Sequence, residues 1–434
     1  MRDEIRERIE AVRRGDVPEG YSMERAMLYP DDWGTPVQLN TVLRENKDRN
    51  ESLLYGKDDV LSVSGEQGVV NQVQLLGRSY AGESVAPYHV VETNDVVYTK
   101  SPLKDNPFGI IKQNRGKPGI VSTLYAVYHC NDPITGQYLE NYFSIDSFLN
   151  NYLKPIVKRG AKNDMKVNNE DVLLGRVPLP SVDEQRKINE AIARIDRLIE
   201  LKQKLVEELQ SLKKTCLAKM FPREGFDVPE VRFPGFTGPW EQRKLGKLVQ
   251  FSKGSGYSKS DLRESGTPVI LYGRLYTNYE TAITNVDTFA EAKPGSVYSC
   301  GGEVIVPASG ETAEEISRAS VVEQAGVLLG GDLNILFPPA DLDPAFLAIS
   351  ISNGKPHEDM AKMAQGKSVV HLHTADLAKI EFFYPSNAEQ TRIMSFFKCV
   401  DSLISLHQRE VEATLEKKKA LMQLLLTGLV RVQV

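Results

Sequence analysis

Cysteine is scarce in this chain: four residues in 434, Cys130, Cys216, Cys300 and Cys399, with no Cys-x-x-Cys pair. That scatter argues against a disulfide framework. His129 beside Cys130 finds no further ligand at metal-site spacing, so no metal is expected. No apolar run approaches the roughly 20 residues that span a bilayer. The opening Met1-Arg-Asp-Glu-Ile is charged where a secretory leader needs an apolar core, so the expected location is the cytoplasm. A basic excess is missing too. Lysine plus arginine number 53 against 58 aspartates and glutamates, a net charge of −5, so any nucleic-acid surface must be local or completed by a partner.

What is present is a repeat. Pro180-Ser-Val-Asp-Glu184-Gln185 returns as Pro385-Ser-Asn-Ala-Glu389-Gln390, an offset of 205 residues. Alternating steps of four and three then pick out Ile188, Ile192, Ile195, Ile199, Lys202, Val206, Leu209, Lys213, Cys216 and Met220. At the same offset they pick out Ile393, Phe397, Val400, Ile404, His407, Val411, Thr414, Lys418, Leu421 and Leu425. Each walk is the apolar seam of a long helix. No proline or glycine interrupts 188–220, so a helix of about 50 Å is possible at ~1.5 Å per residue. One such seam cannot stay dry alone, and two in matching register are expected to pair antiparallel.

The repeat extends more loosely to the rest. Asp16-Val-Pro-Glu19 recurs as Asp227-Val-Pro-Glu230, each followed by one of the two tryptophans, Trp33 and Trp240. Asn94-Asp-Val-Val-Tyr98 matches Gly302-Glu-Val-Ile-Val306. Short β-type runs bounded by Gly, Asp and Pro alternate with short helical stretches. The expected class is α+β: two similar strand-rich domains separated by two long antiparallel helices forming a coiled coil, with an internal pseudo-twofold repeat. The expected boundaries are an N-terminal helix at 1–14, a first domain at 15–180, a central helix at 181–222, a second domain at 223–385, a distal helix at 386–427 and a tail at 428–434.

This layout resembles the specificity subunits of type I restriction-modification enzymes. The likeness rests on Val231-Arg-Phe-Pro-Gly-Phe-Thr-Gly-Pro-Trp240, on the two Pro…Glu-Gln helix starts, and on Gly366-Lys-Ser-Val-Val-His371 closing the second domain. The resemblance implies that each globular domain is a target-recognition domain reading one half of a split, asymmetric DNA site. It implies that the helices act as a ruler and dock two methylation subunits, which bind S-adenosylmethionine, and that two restriction subunits add ATP- and Mg-dependent activity. It implies no cofactor bound by this chain, no catalytic residue in it, no small-molecule substrate and no membrane partner.

Base and phosphate contacts need cations and forked polar side chains. The DNA-binding candidates in the first domain are Lys100, Ser101, Lys104, Asn106, Lys112, Arg115, Lys117, Lys162 and Asn163. In the second they are Lys253, Ser255, Tyr257, Lys259, Tyr272, Arg274, Tyr276, Asn278, Lys367, Ser368 and His371. Arg274 has the fork to read guanine, and Asn278 the amide to read adenine.

Enzyme readings lack their parts. Asp105-Asn-Pro-Phe108 is similar to an adenine-methyltransferase signature without its second proline, and no glycine-rich cofactor turn accompanies it. Gly366-Lys-Ser has Ala361 where a phosphate-binding loop needs glycine. His371 and His373 share a strand face without a third ligand. A coiled-coil assembly protein that never touches DNA is the other competing class.

Overall fold

The computed structural model describes residues 2–103, 106–159, 165–364, 366 and 369–432. The chain divides into two compact units, residues 1–201 with 410–434, and residues 202–409. The boundary falls inside both long helices, so each unit holds one globular domain and half of each helix.

Three helices matter here: α1 (Arg2–Arg14), α2 (Val182–Lys219) and α3 (Asn387–Leu426). Every position of the 4,3,4,3 walk on α2 and α3 is buried or half-buried, while most residues between them are exposed. Ile188, Ile192, Ile199, Ile393, Phe397 and Val400 are all buried, and Ile195, Val206, Leu209, Ile404, Val411 and Leu421 are half-buried. The seam read from the sequence is therefore the buried stripe of both helices.

Each unit shows the antiparallel pairing separately. In the first, Lys418 Nζ lies 2.5 Å from Asp196 Oδ1, and Met422 and Leu425 share a core with Ile188 and Ile192. In the second, Lys213 Nζ lies 2.5 Å from Asp401 Oδ1, and the Phe221 and Phe397 rings stack at 6.3 Å. These bridges are images of one another under the 205-residue repeat. Lys213 and Lys418 therefore reach across to the partner helix.

The first domain is built on a four-stranded sheet of β1 (Leu43–Glu45), β2 (Val96–Thr99), β3 (Ile111–Gln113) and β4 (Tyr125–Cys130), in the order β1-β4-β2-β3. One face carries Val96, Tyr98 and Tyr128 into a core with Tyr138, Leu139 and Tyr142 of the helix Pro133–Phe143. The second domain's sheet has β5 (Gln250–Lys253), β6 (Ala282–Ile283), β7 (Glu303–Pro307), β8 (Ser320–Val322) and β9 (Leu333–Phe337), ordered β5-β9-β7-β8-β6. Val304, Val306 and Leu336 pack with Phe346 and Leu347 of the helix Pro344–Asn353. No helix among the described residues is long and apolar enough to cross a membrane.

The repeated Glu-Gln pair has a physical role in both units. Gln185 Nε2 donates to the Pro180 carbonyl at 2.8 Å, and Gln390 Nε2 to the Pro385 carbonyl at 2.9 Å, fastening each helix start to its approach. The glutamates take arginines from distant segments. Arg431 Nε and Nη2 contact the two Glu184 oxygens at 2.6 and 2.9 Å. Arg232 Nε and Nη2 do the same to Glu389, both at 2.7 Å. The fork-on-carboxylate geometry is bidentate in each case. Val430-Arg431-Val432 in the tail thus stands where Val231-Arg232-Phe233 stands in the second unit.

Candidate nucleic-acid interface

In the first domain the candidate cations are largely balanced by neighbours. Lys112 is buried, and burial lowers its ammonium pKa, with Glu140 opposing that shift. Arg115, exposed, pairs with Glu140 at 2.7 Å. Asn106 donates to Asp146 Oδ1 at 3.0 Å. Asp146 also acts electrostatically on Lys112, so Asn106, Lys112 and Arg115 gather around two carboxylates. Lys100 lies elsewhere, half-buried and donating to Asn169 Oδ1 at 3.1 Å. Burial, then Arg49, lowers its pKa. Ser101 and Lys117 are exposed. Lys104, Lys162 and Asn163 lie outside the described residues.

In the second domain Tyr257 is buried rather than presented. Its hydroxyl meets Ser296 Oγ at 2.5 Å and accepts from the Lys293 amide at 2.8 Å. Ser255 Oγ accepts from the Val297 amide. The nearby glycine is a packing requirement, since a Cβ on Gly254 would fall 1.9 Å from the Gly330 carbonyl oxygen. The Arg274 fork is occupied: Nη1 donates to Asp287 at 2.9 Å, and Nη2 to Glu280 at 2.9 Å and the Asn285 carbonyl at 3.0 Å. A guanine would have to displace these acceptors. Lys253, Lys259 and Asn278 are exposed.

A second group does converge. Tyr276 donates to the Ser309 carbonyl at 2.5 Å, and Ser309 pairs with His371 across a two-stranded ladder. Tyr272, 38 % exposed, meets Tyr276 edge-on at 6.1 Å. His371 and His373 are exposed and parallel, with ring centroids 6.4 Å apart. Burial raises the Tyr276 hydroxyl well above its ordinary value, so it stays a neutral donor. Gly310 passes close enough that a Cβ would sit 3.0 Å from that hydroxyl. With the Tyr276 hydroxyl committed to Ser309, the exposed Tyr272, His371 and His373 are the members that can donate to or stack on bases. Lys367 and Ser368, next in sequence, lie outside the described residues.

Arg44 carries no signal in the sequence, and His129 stands out there only as the neighbour of Cys130. Asp95 was visible only as part of a repeated strand motif, and nothing local links it to His129.

Residues 237–417 match the family described as type I restriction modification DNA specificity domain. The type I restriction enzyme MjaVIII specificity subunit of Methanocaldococcus jannaschii is 25 % identical over 59 % of this chain and 63 % of its own length. The match thus spans less than two thirds of that relative. Among solved structures, the HsdS subunit from Thermoanaerobacter tengcongensis covers 96 % of this chain and 98 % of its own, at a TM-score of 0.50 and 17 % identity. A chain solved for complex assembly and conformational transition of the type I R-M system covers 96 % of this chain and 100 % of its own, at a TM-score of 0.57 and 17 % identity. These last two speak for the fold alone.

Proposed function

We propose that this chain, which carries the type I restriction-modification specificity domain over residues 237–417, reads a split, asymmetric DNA site and performs no chemistry itself. The observation that carries the reading is the internal repeat. A second domain matching a DNA specificity domain has a first-domain counterpart with the same sheet core, the same Glu-Gln helix start and the same arginine clamp. Two related domains that differ in their surface side chains suit two different half-sites.

On this reading α2 and α3 hold the domains at a fixed spacing, because successive major-groove faces recur about every 34–36 Å and a flexible linker cannot fix that interval. Two methylation subunits dock on the chain and supply S-adenosylmethionine-dependent adenine methylation. Two restriction subunits supply ATP- and Mg-dependent cleavage. The net charge of −5 fits a protein whose DNA grip is completed by partners.

The test is a genome-wide map of methylated adenines in cells expressing this chain with its neighbouring methylation subunit. The expected result is a motif of two specific halves around a constant gap. Replacing residues 223–385 by the corresponding segment of another specificity subunit should change one half only. No new methylation from a verified complex with an active partner would overturn the reading in favour of an assembly protein without DNA contact.

A further inference from the structure

The first domain's sheet carries a polar row that the repeat did not reveal. The β1–β4 register sets Arg44 directly opposite His129. The β2–β4 register sets Val96 opposite Tyr128, which brings Asp95, one residue before β2, beside His129 on the other side. Residues directly opposite in a sheet share a face, so Asp95, His129 and Arg44 form a row across three strands.

The row is organised around the imidazole. His129 Nδ1 lies 2.7 Å from Asp95 Oδ1, with the Asp95 side chain 4 % and the His129 side chain 26 % exposed. Asp95 is held in turn, its Oδ2 accepting from the Glu92 amide at 2.9 Å. With Nδ1 facing Asp95, Nε2 is the ring nitrogen left for a ligand. Arg44 is exposed and has no ion-pair partner among the described residues.

The second domain is an internal control. Its sheet places Glu303 where the first has Asp95, since Val304 lies opposite Leu336, and sets Gln250 opposite Phe337. The equivalent row thus reads Glu303, Phe337, Gln250. Glu303 closes its turn by accepting from the Cys300 amide at 3.1 Å, much as Asp95 does, but its Oε1 has no partner. The corresponding positions of the second sheet thus hold neither a histidine nor an arginine.

We infer that Arg44 and His129 form an oxyanion site that holds a single phosphate group, with Asp95 as the positioning residue that aims the imidazole. Two sources carry this chemistry, the phosphodiester backbone of DNA and free phosphate. The first rests on the function proposed above and the second does not.

The test uses substitutions that the second sheet already tolerates, Arg44→Gln and His129→Phe. In the full-length chain with carbon-labelled histidine, inorganic phosphate should shift the His129 resonance, identified as the one lost in His129→Phe. Arg44→Gln should abolish that shift without changing the melting temperature. In the complex with its methylation subunit, Arg44→Gln should make the slope of log affinity against log salt shallower by about 0.9, the loss of one phosphate contact, with the methylated sequence unchanged. A phosphate shift with an unaltered DNA slope would assign the site to free phosphate. No shift, or a shift that survives Arg44→Gln, would overturn the site. Failure of the wild-type complex to bind DNA would count against the proposed function, while the phosphate arm still decides the site.

Discussion

The Arg431 clamp offers a quantitative test of how the tail closes the first unit. Arg431 spans both oxygens of Glu184, whose side chain is 4 % exposed, and both oxygens of Asp32, which is 64 % exposed. Arg431→Met keeps the aliphatic stem and removes the fork. Glu184 then retains one strong donor, Trp33 Nε1 at 3.1 Å. Stripping one member from a fully buried pair costs about 3–5 kcal/mol. Here the arginine is 34 % exposed and water can replace part of the fork, so about 2 kcal/mol is expected. The Asp32 contact adds little at its exposure. Arg232→Met should cost more, about 3–4 kcal/mol, because Arg232 and Glu389 side chains are only 14 % and 1 % exposed. The two tryptophans allow a separate readout, since Trp33 lies in the first unit and Trp240 in the second. A fluorotryptophan-labelled chain gives one fluorine resonance for each, followed through urea. At a slope of about 2 kcal/mol/M, Arg431→Met should lower the Trp33 midpoint by about 1 M and leave Trp240 unmoved. Arg232→Met should do the reverse. A loss below about 0.5 kcal/mol, the range of an ordinary surface change, would refute a structural role for the tail.

The seam predicts a contrast on one helix. Phe397→Ala, at a buried position stacked on Phe221, should cost about 3–5 kcal/mol by the Trp240 midpoint, and Leu403→Ala, 38 % exposed, under about 0.5 kcal/mol. His89 predicts a pH effect. Burial, then Arg49 and Lys100, lowers its pKa from 6.5 to about 4, so the unfolded chain binds the proton more readily. Its contribution of about 3 kcal/mol is intact above pH 6.5 and lost as pH falls toward 4. Stability of His89→Gln relative to wild type, followed from pH 8 to 4, should change by that amount; a constant difference would contradict it.

The helices were readable because a seam is a local pattern: steps of three and four place side chains on one face whatever lies opposite. The strands' inward residues were readable for the same reason, and Asn94–Tyr98 and Gly302–Val306 lead into corresponding interior strands of the two sheets. What local pattern cannot show is who stands across. Glu184 and Glu389 were recognised as a repeat, yet their arginines are 247 residues ahead and 157 behind in the chain. Among the recognition candidates, Lys112 and Arg274 were chosen for charge, and the fold surrounds them with carboxylates from other elements. Tyr272, Tyr276 and His371 are candidates by type; Tyr272 meets Tyr276, and Tyr276 bonds the Ser309 carbonyl on the strand that pairs with His371.

The repeat separates scaffold from reading surface more sharply than either half alone. Positions that close the helix starts are the same residue in both units, as with Glu184 and Glu389 or Gln185 and Gln390. Positions facing inward stay buried in both units, as with Val96 and Val304 or Tyr128 and Leu336. Positions at the outer ends of the sheets differ, since Arg44 and His129 stand opposite Gln250 and Phe337 in the correspondence. On the proposed reading, two unlike half-sites would draw on such differences between otherwise corresponding sheets.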